Sequence, residues 1–159
     1  MSNIFGKNFI DGYKPDILEC LSNLSSDEVF TPPKIVNHVL DLFPKEIWND
    51  KSLKFLDPGC KSAVFLREIC KRLMNGLAQE FPDERKRREH IFKNMLYGNA
   101  ITHLTSLISR RSLYYTKDPS NKEYSAVQFK DKIGNIRYEP TEHLFYDKKL
   151  KKGVKKCLF

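Results

Sequence analysis

The residues best suited to chemistry lie in one stretch, Asp57-Pro-Gly-Cys-Lys-Ser-Ala63. A short apolar run, Leu53 to Leu56, leads into Asp57 and places a carboxylate where a buried strand would end. Pro58-Gly59 is a turn signal. Ser62 then stands before Val64, Phe65, Leu66, Ile69, Cys70 and Leu73, an apolar pattern with helical spacing that ends near Gly76. Strand, acid, tight turn and helix start make the ligand-binding corner of an open α/β sheet. Backbone N–H groups at such a corner receive an anionic or polar ligand group. The carboxylate accepts hydrogen bonds from a cationic or hydroxylated one. The plainer alternative is an acid that only stabilises its own turn.

A second chemistry is carried by charge. Arg85, Lys86, Arg87 and Arg88 follow Asp83, which can cap a helix there. Residues 148–159 hold six lysines, Lys151 and Lys152 among them. The formal net charge is +8 and the pI about 9.3, which favours polyanions such as nucleic acid. The alternatives are a solvated helix face for 85–88 and a disordered basic tail for 148–159. Cys60 reads as a small buried residue, since no histidine lies near it in sequence to activate a thiolate. His38, His90, His103 and His143 have no metal-ligand spacing, so no metal site is expected.

These residues need elements to position them. Residues 1–27 read as a helical lead-in, with Ile17, Leu18, Leu21 and Leu24 on one face. Thr31 can cap a helix that opens with Pro32-Pro33 and carries Ile35, Val36, Val39, Leu40 and Phe43 as an apolar stripe. Met95–Gly98 reads as a second strand, Thr102 caps a helix running to about Arg111, and Leu113–Tyr115 reads as a third strand. Strands alternating with helices predict a mainly parallel sheet. Beyond Asn121 the texture changes, and 124–130 with 134–138 suggest a β-hairpin. The expected divisions are a lead-in over 1–27, a core over 28–117, a hairpin insertion over 118–147 and a basic tail over 148–159.

The chain has 159 residues, 40% hydrophobic and 30% charged, which suits one globular domain. No apolar run approaches the roughly 20 residues of a membrane span, so no membrane partner is expected. Four scattered cysteines and an N-terminus unlike a secretion signal point to a reduced, cytoplasmic setting.

Three segments together resemble the N-terminal part of bacterial restriction–modification DNA adenine-N6 methyltransferases, which use S-adenosylmethionine. Phe30-Thr-Pro32 with Ile35-Val36 is similar to the family's upstream cofactor motif. Phe55-Leu-Asp-Pro-Gly-Cys-Lys-Ser-Ala-Val-Phe-Leu66 is similar to its glycine-rich motif. Tyr97-Gly98 with Ile101 is similar to the end of its second strand. The resemblance covers about residues 28–115. It implies a partial Rossmann-like methyltransferase sheet with flanking helices, followed by the C-terminal hairpin and basic tail. It also implies a cofactor site of Phe30, Thr31, Pro32, Asp57, Pro58, Gly59, Cys60, Ser62, Ala63, Phe65 and Asn99, with DNA as the partner of the full-length enzyme.

Lys61 and Ala63 stand where the family has glycines, and Asn99 stands near the position of its ribose-binding acid. The family's Pro-Pro-aromatic catalytic tetrapeptide is missing, because the one Pro-Pro here is Pro32-Pro33 in the upstream motif. No catalytic residue is therefore assigned. The expectation is a truncated cofactor half of a longer enzyme, able to self-associate through an exposed sheet edge. A non-catalytic basic module, or a methyltransferase for RNA or protein, stands as the other reading.

Overall fold

The computed structural model describes residues 31–121 and 123–139, together with the backbone of 143–147 and 152–156. Helix α1 spans Pro33–Leu40, and a 3-10 turn follows at Lys45–Asn49. Strand β1 is Phe55–Asp57, helix α2 is Val64–Gly76 and helix α3 is Glu84–His90. A π-type turn, Ile91–Met95, leads into β2, Leu96–Ala100. Helix α4 is His103–Tyr114, and β3, β4 and β5 are Ile136–Tyr138, His143–Asp147 and Lys152–Lys156. The chain is thus α/β, as its alternation of patterns predicts.

Strands β1, β2 and β3 form a parallel sheet in that order, with Asp57 beside Gly98 and Gly98 in turn beside Ile136. Helix α2 packs on β1 and β2, α4 packs on β2 and β3, and the two helices touch. The core lies between them, where Leu66, Leu73, Ile91, Met95, Leu96, Tyr114 and Ile136 are fully buried. Gly98 sits in that layer because nothing larger fits. A Cβ there would lie 2.7 Å from the Cys60 sulfur and 2.8 Å from Ile136. Among the described residues, no helix is long and apolar enough to cross a membrane.

Four sequence expectations change. Leu113 and Tyr114 are the buried last turn of α4, and Tyr115 ends it in the left-handed region at φ 68°, so no strand forms at 113–115. The expected hairpin of 124–130 with 134–138 does not form. Backbone N–H groups of the first arm are used elsewhere, Ala126 on Tyr114 O at 2.9 Å and Phe129 on Pro119 O at 2.9 Å. Asp131 does close a turn, accepting from Ile133 N and Gly134 N at 2.9 and 2.7 Å, but the turn launches the parallel strand β3. The hairpin that does form pairs β4 with β5, so the boundary expected between 147 and 148 falls between paired strands. Finally, α1 buries only Val36 and Leu40 of its apolar stripe and leaves Ile35, Val39 and Phe43 exposed. The helical lead-in of 1–27 lies outside the described residues.

Candidate functional site

The corner forms where β1 ends at Asp57. The half-buried carboxylate accepts from Gly59 N at 3.2 Å, and burial pushes its pKa above the usual value despite that bond. Lys61 N donates to Gly59 O at 2.7 Å, which tightens the turn, and Cys60 N donates to Asn99 O at 2.9 Å, which ties the turn to β2. Ser109 Oγ, reaching from α4, donates to Cys60 O. Cys60 itself is buried, its thiol pushed up to about 11 by desolvation, which keeps it protonated and unreactive at neutral pH.

Ala63 adopts φ 57° and ψ 28° as the N-cap of α2. This is the left-handed conformation for which the family's glycine is suited, and holding it with a Cβ costs about 1 kcal/mol. The alanine is 1% exposed, so its methyl packs in return. Ser62 is buried and does not cap the helix; among the described residues no side chain caps α2. Its first-turn N–H groups are left for another acceptor. Thr31 likewise does not cap α1, whose N-cap is Pro32 with Pro33 in the first turn. Instead, Thr31 joins Asp57, Gly59, Lys61, Ser62, Ala63 and Phe65 around a cavity of about 160 Å3. Among the described residues, a Cβ added at Gly59 would meet nothing within 4 Å, so the backbone there is open to approach.

Asp57 and Phe65 also line a larger apolar groove of about 430 Å3, with Pro58 at one end and Val39, Phe43, Trp48 and Leu56 along it. Asn99 lies in β2 next to Gly98. Its Oδ1 is buried and, among the described residues, accepts no hydrogen bond. A buried acceptor left so costs about 1–3 kcal/mol, which marks it as a place for a donor to arrive.

The structure thus gathers Thr31, Asp57, Gly59, Ser62, Ala63 and Phe65 around one cavity, with Pro32, Pro58, Cys60 and Asn99 adjoining in the chain or by hydrogen bonds. Phe30 and Lys151 lie outside the described residues, and Lys152 is described only as backbone. Arg85–Arg88 lie on α3, capped as expected by Asp83, which accepts from Arg85 N at 2.9 Å. Arg88 pairs with Glu84, and Arg87 donates to Phe81 O at 3.0 Å, so half of that cluster is spent within the fold.

Sequence reasoning missed the residues that hold α1 over the corner. Glu68, 4% exposed, accepts from Asn37 Nδ2 at 3.1 Å and from Lys71 Nζ at 2.7 Å. Burial opposes its charge, but these donors win and hold the carboxyl below its usual range. Arg72 reaches Asp41 at 2.6 Å and Asn37 O at 3.2 Å, with its guanidinium 5.3 Å from the Trp48 ring centre. The signal was present: Glu68 follows Val64 by four residues, on the apolar stripe of α2. Ser109 gave a weaker sign, as one of three small hydroxyl residues, with Thr105 and Ser106, that α4 buries.

The described residues form a parallel α/β sheet with an acid, an open backbone turn and a helix start at the end of its first strand. No family model matches this chain. It is 36% identical over 156 residues to an uncharacterized adenine-specific methylase of Mycoplasma pneumoniae (strain ATCC 29342 / M129 / Subtype 1), an alignment covering 91% of this chain. The chain is therefore homologous to an adenine-specific methylase, as its three motifs indicate. It spans 37% of that relative's length. A solved structure from Vibrio vulnificus YJ016, described as a modification subunit of a type I restriction enzyme, matches 79% of this chain and 21% of its own. Its TM-score of 0.47 and 18% identity are too distant to bear on function.

Proposed function

We propose that this chain carries the S-adenosylmethionine-binding part of a restriction–modification DNA adenine-N6 methyltransferase. The observation that carries this reading is the open approach at Gly59 beside Asp57. Gly76 and Gly98, by contrast, are packed within 3 Å of other atoms. A glycine packed against nothing at a tight turn suits a backbone that a ligand must approach.

The donor set fits the cofactor. The Asp57 carboxylate, raised by burial, gains from a cationic or hydroxylated partner. The uncapped start of α2 offers N–H groups to a carboxylate. Asn99 Oδ1 is an acceptor for a ribose hydroxyl. Thr31 and Phe65, with Phe30 ahead of them in sequence, would bound the methyl-bearing end. When bound, the cofactor supplies an electrophilic methyl group. These residues orient it and exclude water around it. The groups that would receive the flipped adenine are absent from this sequence, so methylation of DNA is assigned to the whole protein. Leu56 is exposed on a strand that, among the described residues, pairs only on its β2 side, which makes that edge of β1 the surface for self-association.

Calorimetric titration with S-adenosylmethionine tests the reading. Wild type is expected to bind, and Gly59→Ala to bind at least tenfold more weakly with an unchanged thermal midpoint. Equal binding by both, or none by the wild type, would remove the corner from this role.

A further inference from the structure

We propose that Glu68 and Arg72 are positioning residues for the cofactor corner, a role that rests on the reading of that corner as an S-adenosylmethionine site. One turn apart on α2, they grip the Asn37 side chain and so fix where α1 places Thr31. Asn37 offers its two ends to opposite charges. Its Nδ2 donates to Glu68 Oε2 at 3.1 Å, and its Oδ1 accepts from Arg72 Nη2 at 3.2 Å. Only this orientation of the amide satisfies both partners. Arg72 Nη2 also lies 3.2 Å from Asn37 O and 2.6 Å from Asp41 Oδ1, so α2 holds α1 at two successive turns.

The apolar contact alone does not fix this placement. Val36 and Leu40 of α1 are buried, whereas Ile35 and Val39 are exposed. Eight residues are too few for a helix to be stable by itself, so α1 takes its position from what it packs against, chiefly α2. Two apolar side chains tolerate a slide or a turn of the helix, while a paired polar side chain at an interface selects one register. The position passes directly to the site. Ile35 N and Val36 N donate to Pro32 O at 3.0 and 3.1 Å, so Pro32 moves with α1. Thr31, bonded to it, lines the small cavity with Asp57 and Gly59. The grip is not needed to neutralise the charges involved. Glu68 keeps Lys71 at 2.7 Å and Arg67 at 3.5 Å on its own helix, and Arg72 keeps Asp41. Asn37 can therefore be replaced without stranding a buried charge, and what is lost is the placement.

Asn37→Leu separates placement from stability. Leucine is the better helix former and leaves both charges paired, so the thermal midpoint is expected to stay level or rise. Titration calorimetry is expected to show S-adenosylmethionine binding about tenfold weaker, through lost preorganisation, and Glu68→Leu to match it. In a Thr31→Val background, Asn37→Leu is expected to cost less than about threefold, because its effect runs through Thr31. Amide exchange reads the grip without cofactor. The amides of Ile35 to Leu40 should exchange about tenfold faster in Asn37→Leu, while those of Leu66 to Leu73 keep the wild-type rate. Equal affinity in wild type and Asn37→Leu, equal losses in the two backgrounds, or unchanged exchange in α1 would each overturn the clamp and leave the cofactor reading standing. No binding by the wild type would instead overturn the cofactor reading; faster exchange in α1 would then still support the clamp, and unchanged exchange would overturn it.

Discussion

On the β1 flank of the sheet, Leu56 stands 67% exposed beside an apolar groove, and the backbone at Gly59 is open to approach. On the β3 flank, Ile136 and Tyr114 are wholly buried and nearly every polar group nearby has a partner in the fold. Asn135 shows how that second flank is sealed. Its side-chain amide donates to Phe92 O, Lys93 O and Leu96 O at 2.9, 3.0 and 3.1 Å, its backbone N–H reaches the Tyr114 hydroxyl, and its carbonyl receives Gly98 N at 3.0 Å. Arg110 adds bonds to Ser106 O and Lys132 O at 3.2 Å each. Among the described residues, one flank is satisfied by the fold itself, and the other keeps donors, acceptors and apolar surface unspent. A protein retains such unspent groups where something else is to bind.

Asn135→Ala is the most severe way to break this contrast. It removes one amide whose two N–H groups are shared among three carbonyls of the π-type turn and the start of β2, and the loss is about 2 kcal/mol at roughly 1 kcal/mol per N–H. Urea unfolding should show that loss, with the slope on denaturant unchanged. A loss below about 1 kcal/mol would mean that the β3 flank is held by packing alone.

The same contrast explains what could be read from sequence. The corner is contiguous: strand, Asp57, turn and the α2 pattern lie within some twenty residues, and each carries a local signal. Ala63 was marked through the resemblance alone, as an alanine where the family has glycine, and its left-handed φ of 57° came from the structure. The β3 flank is assembled across sequence separations of 21 to 43 residues, from Tyr114 to Asn135 and from Phe92 to Asn135. Nothing local marks Asn135 as a latch. Leu113-Tyr-Tyr115 has strand propensity but is claimed by the end of α4, a tertiary override of a local preference. The 124–130 run alternates like a strand, yet its donors go to Tyr114 and Pro119, partners that no periodicity reveals.

Leu56→Lys is the next test in size, and it acts on the open flank. The residue is exposed, so unfolding free energy should change by less than about 0.5 kcal/mol. Self-association through the β1 edge should weaken at least tenfold, about 1.4 kcal/mol, because a charge is a common guard on an edge strand. Sedimentation across a concentration series reads this directly. A wild type that stays monomeric at high concentration, or a variant that associates as before, would show that the edge is not the contact.

Asp57→Asn probes the smallest and most specific difference. Burial raises the Asp57 pKa from its ordinary 3.8, so the folded protein holds a proton more tightly at this site than the unfolded chain does. The wild type therefore loses stability as pH rises from 3.8 through the folded-state value, and carries the full penalty above it. Asparagine keeps an oxygen to accept from Gly59 N but has no charge to desolvate. At neutral pH the variant should unfold later than the wild type, and the gap should close as pH falls towards 3.8. S-adenosylmethionine affinity should move the opposite way and weaken. A substitution that stabilises the empty fold while impairing the ligand marks a charge kept for binding rather than for folding. If the variant is instead less stable at neutral pH, Asp57 is an acid that serves its own turn, and the open flank loses its best reason for being open.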